Sequence, residues 1–277
     1  MKKTCVIGSP ISHSRSPLIH NYWLSKYRIE GEYKKKEVTK DELAKFFHSF
    51  MENGYVGCNV TIPHKETVLP FIISDEKAKL LGAANTIYIE DDKLIGTNTD
   101  GEGFLMSLKG DIQNITLKNK SVTILGAGGA ARSIIMALLD DGVAEIQIIN
   151  RSEDRSRLLK NAFGPKIKIT PWTRKSEALE NQDLLVNTTS LGMKNQPQLD
   201  ISLDKLPGHA AVADIVYVPL ETELIMTAKL RGNKTSPGLG MLLNQAVPGF
   251  KLWFDKEPEI TAELRALLEN NIRDEYL

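Results

Sequence analysis

Short apolar runs alternate with amphipathic stretches of helix length along this chain. Thr4 to Gly8 reads as a buried strand, followed by a polar loop from Ser9 to Ser16. Pro17 then suits the first turn of a helix carrying Leu18, Tyr22 and Trp23. Thr39 and Glu42 have capping-box spacing ahead of Leu43, Phe46, Phe47, Phe50 and Met51, which recur on one helical face. Tyr55 to Ile62 returns to strand, and Pro63 is expected to start a short helix with Lys65 just inside it. Thr86 to Ile89 and Leu94 to Thr97 predict a hairpin turning at Asp91 and Asp92.

A second unit starts near Gly101. Strands are predicted at 121–125, 145–149, 167–169, 183–187 and 211–215, with a helix over 130–139 and helical stretches between the later strands. Strands separated by helix-length segments imply a parallel sheet covered on both faces. The tail carries Ile260, Leu264, Leu267, Leu268 and Ile272 as an apolar helical stripe behind Pro258. Nothing in the doubly wound unit requires this helix, so it is expected to return to the first domain. The expected division is 1–100 plus 239–277 for one domain and 101–238 for the other.

Bulk composition narrows the class. The 277 residues are 42% hydrophobic and 25% charged, an ordinary globular balance. Thirty-five basic residues offset thirty-five acidic ones, so no overall field attracts nucleic acid or anionic lipid. Cys5 and Cys58 lie in apolar runs without metal-ligand spacing and read as small buried hydrophobes. No metal site is expected. No run reaches the ~18 apolar residues of a spanning helix, and the apolar stretch behind Lys2 and Lys3 is too short for a secretory signal. A cytoplasmic monomer or homodimer without nucleic-acid or membrane partners is the expectation.

Gly126-Ala127-Gly128-Gly129-Ala130-Ala131 follows a strand and opens a helix, which is the setting a dinucleotide fingerprint needs. Gly126 makes the turn, Gly128 admits the pyrophosphate, Ala131 keeps helix and strand close, and the helix amino terminus faces the negative charge. After the second strand come Asn150, Arg151, Ser152 and Arg155, where an NAD enzyme would place an acid. Glu145 is nearer the nominal spacing but precedes the strand. Guanidiniums at this corner suit a 2′-phosphate, so NADP is the expected cofactor.

Three segments of the first domain set polar residues beside apolar strands: Ser12 to Pro17, Asn59 to Lys65, and Asn98 to Gly101. Asn59 and Thr61 alternate, so they emerge on one face at the carboxyl end of a strand. Lys65 and Asp100 could donate and organise a proton. His13, His20 and His64 read as loop or supporting residues, since no acidic orienting partner stands out.

With these motifs the sequence resembles shikimate dehydrogenases over nearly its whole length. The likeness rests on Ser14 and Ser16, Asn59-Val60-Thr61 with Pro63 and Lys65, Ala84-Asn85-Thr86, Asn98-Thr99-Asp100-Gly101 and the Gly126 to Ala130 turn. It continues through Asn150-Arg151-Ser152, Asn187 to Met193, Asp214-Ile215 with Tyr217 and Pro219, and Gly238 to Leu242 with Gln245. The resemblance implies an α/β fold: an N-terminal α/β substrate domain plus a doubly wound parallel (Rossmann) NADP-binding domain. It implies NADP-dependent, reversible reduction of 3-dehydroshikimate to shikimate, with Lys65 and Asp100 as the catalytic pair. Ser14, Ser16, Asn59, Thr61, Asn85, Tyr217 and Gln245 would hold substrate. Ala127, Gly129, Ala130, Thr188, Ile215, Gly238 and Glu76 would join the fingerprint and the arginine corner around the cofactor.

Two positions depart from the family pattern. Pro237 stands before Gly238 where an acid is common, and Pro248-Gly249 interrupts the helix expected to carry Gln245. A proline there predicts a break just after Gln245. Alternatives are a quinate/shikimate dehydrogenase with broader substrate and cofactor use, or a non-catalytic dinucleotide sensor, against which intact Lys65 and Asp100 argue.

Overall fold

Each apolar run becomes a strand that buries its side chains, and the computed structural model describes residues 1–274. The chain first forms β1 (Lys2–Gly8), α1 (Ser16–Lys26), β2 (Gly31–Glu37), α2 (Leu43–His48), β3 (Tyr55–Val60), β4 (Ile73–Ser74), α3 (Glu76–Leu81), β5 (Thr86–Glu90) and β6 (Lys93–Thr97). It continues through α4 (Asp100–Asp111), β7 (Ser121–Leu125), α5 (Gly129–Asp140), β8 (Glu145–Asn150), α6 (Glu153–Phe163), β9 (Ile167–Pro171), β10 (Leu184–Asn187) and β11 (Ala211–Asp214). The remainder is α7 (Glu223–Leu230), β12 (Lys234–Ser236), α8 (Leu239–Asn244), α9 (Ala246–Phe254) and α10 (Ala262–Asp274). Among the described residues no helix is long and apolar enough to cross a membrane.

The elements separate into two units. The first holds Met1–Thr99 and Gln245–Asn270; the second holds Asp100–Asn244 and, of the described residues, 271–274. The expected boundary at 238/239 therefore differs from the observed one by the length of α8. That helix stays with the second unit because it packs on α4, where a methyl added at Gly240 would lie 2.0 Å from Ser107 Oγ.

The first unit is a mixed sheet in the order β2-β1-β3-β5-β6-β4. On one face Cys5, Ile7, Cys58, Val60 and Ile87 pack with Leu43, Phe46, Phe47 and Phe50. Both cysteines are buried. On the other face lie His20 and Trp23 of α1, Tyr33 of β2, and Phe250 and Trp253 of α9, with aromatic rings in mutual contact. The returning tail is fastened to α1: Trp23 Nε1 donates to Glu259 O at 2.9 Å, and the Tyr22 hydroxyl meets Thr261 Oγ1 at 2.7 Å.

The second unit is an all-parallel sheet in the order β12-β11-β10-β7-β8-β9. Strand alternation sends Val122, Ile124, Leu184 and Val186 to the side of α4 and α5, and Leu125, Leu185 and Val212 to the side of α7. Helix α5 covers its face with Ala131, Ile134, Ile135 and Leu138.

Several expectations are corrected. Pro63 starts no helix. The segment from Ile62 to Val68 runs as turns, because the Lys65 carbonyl accepts from Ala84 N at 2.8 Å and is not left for a helical partner. The capping box at Thr39 and Glu42 is present but opens a 3-10 turn. Phe50 and Met51 lie beyond the end of α2, and Met51 is exposed. Ile260 precedes α10, and Leu267 is exposed, so the buried stripe is Leu264, Leu268 and Ile272. The Asp91-Asp92 hairpin forms as expected, with both residues at positive φ. The break expected after Gln245 falls at Gln245 itself, between α8 and α9. Pro248 then sits in the first turn of α9, where its missing N–H costs little.

The tightest packing in the first unit is at Gly57, where an added methyl would fall 1.9 Å from Trp253 Nε1, the atom that donates to Ile87 O at 2.8 Å. Gly57→Ala is expected to destabilise the protein by about 2 kcal/mol or more, through overpacking and loss of that buried hydrogen bond. A urea midpoint equal to wild type would mean that the indole moves aside freely.

Candidate functional site

In the first unit, β3 and β5 bring the polar motifs together. Asn59 is the penultimate residue of β3 and is 5% exposed. Its Oδ1 accepts from the Tyr33 hydroxyl at 2.6 Å, and its Nδ2 donates to Thr86 Oγ1 at 3.1 Å and Asn85 O at 3.2 Å. Thr86 Oγ1 donates to Asn85 Oδ1 at 3.0 Å, and Thr99 N donates to the same oxygen at 2.9 Å. Asn85 Nδ2 donates to Thr99 Oγ1 at 3.1 Å, whose own proton goes to Gln245 O at 2.8 Å. Asn59, Asn85 and the Gln245 backbone, distant in sequence, thus belong to one buried network. Lys65 is tied to it through its carbonyl, whose donor Ala84 N lies one residue before Asn85.

The Ser14 hydroxyl donates to Ser16 Oγ at 3.3 Å where α1 begins, and both serines are buried. Thr61 is half-buried, its amide donating to Ile7 O at 2.9 Å. Glu76 is exposed in the first turn of α3. His64 is buried with Nε2 2.6 Å from Val38 O, and His13 is exposed in its loop. His20 is buried among the aromatic rings. Burial lowers its pKa to about 3, with the Asn59 side chain offsetting part of the effect, so the ring is neutral at working pH.

In the second unit the loops at the carboxyl ends of β7, β8, β10 and β11 carry the other candidates. Gly126 has φ +106°, and an added methyl would lie 2.6 Å from Thr188 Oγ1, so both backbone conformation and space require glycine. Thr188 holds that turn by donating to Leu125 O at 2.6 Å. Methyls on Gly128 or Gly129 would meet only open space. Helix α5 starts there with no side-chain cap and no acid in its first turn, leaving its amino terminus suited to an anion. Ala127 and Ala130 lie in this turn, and Ala131 is buried beneath it.

Asn150 ends β8, with Nδ2 donating to Ser152 O at 2.8 Å. Arg151, Ser152 and Arg155 are exposed, and among the described residues neither arginine forms an ion pair. Glu145 stands at the opposite end of β8, paired with Lys168. Gly238 abuts the Ile215 carbonyl, which an added methyl would approach to 2.4 Å. Tyr217 is half-buried, and buried Asp100 opens α4. A methyl on the next residue, Gly101, would lie 2.4 Å from Ser133 O.

Asp214 stands in a quoted motif, but sequence reasoning gave it no role. It is 2% exposed and accepts from Asn187 Nδ2 at 3.0 Å, Val216 N at 3.0 Å and the Thr222 hydroxyl at 2.7 Å. Asn187 in turn accepts at Oδ1 from Thr189 N at 3.0 Å and donates to Leu191 O at 3.2 Å. This pair braces the loops after β10 and β11. Burial raises the Asp214 pKa to about 6, against the three hydrogen bonds. Among the described residues no cluster of His, Cys, Asp or Glu could hold a metal ion.

Comparison with known proteins gives three successive matches. Residues 6–87 match the shikimate dehydrogenase substrate binding domain, 108–196 the shikimate/quinate 5-dehydrogenase family, and 238–268 the shikimate 5′-dehydrogenase C-terminal domain. A shikimate dehydrogenase (NADP(+)) of Rhodopseudomonas palustris strain BisB5 is 49% identical over 268 residues, covering 97% of this chain and 94% of that one. A Thermus thermophilus shikimate 5-dehydrogenase, solved with NADP(H) and shikimate, superposes with TM-score 0.82 at 31% identity over 99% of both chains. A quinate dehydrogenase of Corynebacterium glutamicum, solved with NAD, superposes with TM-score 0.86 at 28% identity, covering 98% of this chain and 100% of that one.

Asp214 gives the second unit a pH signature. The folded carboxyl holds its proton up to pH of about 6, whereas an unfolded aspartate releases it near 3.9. Stability from this group is therefore complete below the unfolded value and lost as pH rises through 6, about 3 kcal/mol across the window. Asp214→Asn is expected to lack this component when urea denaturation is followed from pH 4 to 7. Parallel pH profiles for the two proteins would contradict the assignment.

Proposed function

The chain belongs to the shikimate dehydrogenase family, and on that premise we propose that it reduces 3-dehydroshikimate reversibly to shikimate with NADPH, Lys65 and Asp100 forming the catalytic pair. It is an oxidoreductase. The observation that carries the site assignment is the buried network joining Asn59, Asn85 and the Gln245 backbone. It fixes, on one unit, side chains that the family pattern assigns to substrate. Ser14, Ser16, Thr61, Asn85 and Gln245 hold the substrate's hydroxyls and carboxylate, with Asn59 supporting them, and the family pattern assigns Tyr217 to the same substrate.

Four features support NADP as the cofactor: the positive-φ turn at Gly126, the open space at Gly128 and Gly129, the uncapped start of α5, and two exposed arginines without ion pairs among the described residues. Backbone amides from Gly126 to Ala130 receive the pyrophosphate. Asn150, Arg151, Ser152 and Arg155 take the 2′-phosphate. Thr188, Ile215, Gly238 and Glu76 line the remainder of the site. When bound, the nicotinamide supplies or accepts the hydride.

The residues provide the rest of the chemistry. Reduction of a ketone builds negative charge on its oxygen, and the Lys65 ammonium stabilises that charge and supplies the proton. The Asp100 carboxylate keeps the lysine charged and aimed. Turn geometry suits this role, since the hydrogen bond at the Lys65 carbonyl fixes its backbone next to Asn85.

Three outcomes are expected. Mixing the protein with shikimate and NADP should raise absorbance at the reduced-nicotinamide band; faster turnover of quinate with NAD would replace this reading with a broader dehydrogenase. Lys65→Ala should lower kcat by about 10³-fold with a much smaller change in shikimate KM, and an unchanged rate would remove Lys65 from the reaction. Arg151→Ser should raise the KM for NADP by roughly tenfold to a hundredfold, with NAD little affected. Equal effects on both cofactors would break the 2′-phosphate assignment.

A further inference from the structure

The carboxyl ends of the parallel strands carry the glycine turn, and their amino ends hold a separate cavity of about 180 Å³. β7 and β10 are five and four residues long, so about 13–17 Å of strand divides the two edges. The cavity lies wholly within the second unit. One wall is the chain between α4 and β7, where Ile112 and Leu117 are buried and Ile115 is half-buried. Ala211, buried at the start of β11, adds to this apolar lining. Another wall is the loop before β11, which carries His209. Asn233 holds that loop, its Nδ2 donating to Pro207 O at 3.0 Å and Ala210 O at 2.9 Å, and Arg231 Nη2 donates to Leu206 O at 3.1 Å. The hollow is therefore built into the fold.

Its charged side chains do not cancel. Asp183 Oδ1 is met by Lys120 Nζ at 2.9 Å, with His209 Nε2 at 3.6 Å, and Oδ2 accepts from Ser121 N at 3.0 Å. Lys234, the register neighbour of Ala211 at the start of β12, is exposed and without an ion pair among the described residues. Two lysines against one carboxylate leave one surplus positive charge, and His209 adds another when protonated. A purely apolar molecule would strip water from the cations without replacing it, and a bare anion would leave the apolar lining uncovered. A cavity of about 150 Å³ admits benzene, so this one suits a single ring or its aliphatic equivalent.

We propose that this cavity is a second ligand site, taking a small monocarboxylate whose apolar body is about the size of one ring. The carboxylate is drawn by Lys120 and Lys234, and the body lies against Ile112, Ile115, Leu117 and Ala211. The site stands apart from the dehydrogenase reading and from every motif of the family pattern.

Benzoate is the probe, with benzyl alcohol for the ring without charge and acetate for the charge without a ring. Labelling the protein with ¹⁵N-histidine gives five imidazoles to follow, and His209→Gln identifies the resonances at the cavity. Benzoate should shift them saturably with a Kd on the order of 1 mM, and the two partial probes should bind about tenfold more weakly or worse. Equal binding of acetate reduces the site to surface charge, and equal binding of benzyl alcohol reduces it to an apolar hollow. Either result overturns the proposal. Shifts at His13, in the loop with Ser14, and none at His209 would put benzoate at the candidate substrate site and overturn it too. Lys234→Glu should weaken benzoate about tenfold or more with the thermal midpoint kept. An unchanged Kd removes the carboxylate contact, and the proposal with it. Binding is read without turnover, so failure of the dehydrogenase reading and failure of this site are seen separately.

Discussion

A primary amide can sit inside a protein only if its two donors and its oxygen find partners, since an orphaned polar group there costs about 1–3 kcal/mol. Asn59 faces this constraint one residue before the end of β3, below an aromatic cluster, and the arrangement of the first unit follows from meeting it. The edge strand β2 must bring Tyr33 to its oxygen, and β5 must bring Thr86 to its nitrogen. The loop after β6 must supply Thr99, and the start of α9 must offer the Gln245 carbonyl. The returning tail is thus needed by the polar interior as well as by the apolar one. Trp253, filling the space above Gly57 and bonded to the Ile87 carbonyl, serves both.

The second unit meets a related constraint differently. Parallel strands end with their carbonyl edges near one another, and the loops leaving them need fixed polar anchors. Asn187 and Asp214 are adjacent register partners at the ends of β10 and β11, and each ties down the backbone of its own following loop. Thr188 and Gly126 do the same across β10 and β7, the hydroxyl occupying the space that a side chain at position 126 would need. The glycine turn is therefore shaped by contacts underneath it, and the surface above Gly128 and Gly129 is left clear.

Much of this is legible in the sequence because apolar runs and polar interruptions carry the information. β1, β3, β7, β8, β10 and β11 announce themselves as buried strands, and the polar residues near their ends mark the candidate site. Position on β8 is enough to tell Glu145 from Asn150. β2 is not legible: Lys34, Lys35 and Lys36 give it the look of a solvated loop, whereas an edge strand with one buried residue tolerates that charge and is protected by it from further pairing. Pro63 misleads because local signals say helix while a tertiary bond from Ala84 claims the Lys65 carbonyl. Tyr33, Thr86 and Thr99 escape notice as members of the buried polar network for one reason. Tyr33 and Asn59 are 26 residues apart, Asn85 and Thr99 are 14 apart, and no periodicity links them. Asp214 stands within a recognised motif, but its burial and its role in bracing loops are facts of packing.

The two units also differ in how they keep titratable groups inside. The first surrounds His20 with aromatic rings and keeps it neutral, with a pKa of about 3. The second surrounds a carboxyl with donors and still leaves it at about 6. Linkage gives these opposite consequences. An unfolded histidine gains a proton near 6.5 that buried His20 refuses, so its contribution to stability is whole above that pH and drains away as pH falls towards 3. Asp214 retains a proton that the unfolded chain gives up, so its contribution grows over part of the same descent, from about 6 to about 4. Mild acid thus loosens the unit built on the neutral amide network and tightens the one built on the carboxyl. Amides and hydroxyls in the first unit thus fix direction without placing a further charge in its interior, whereas a buried carboxylate such as Asp214 must carry its desolvation cost or keep its proton.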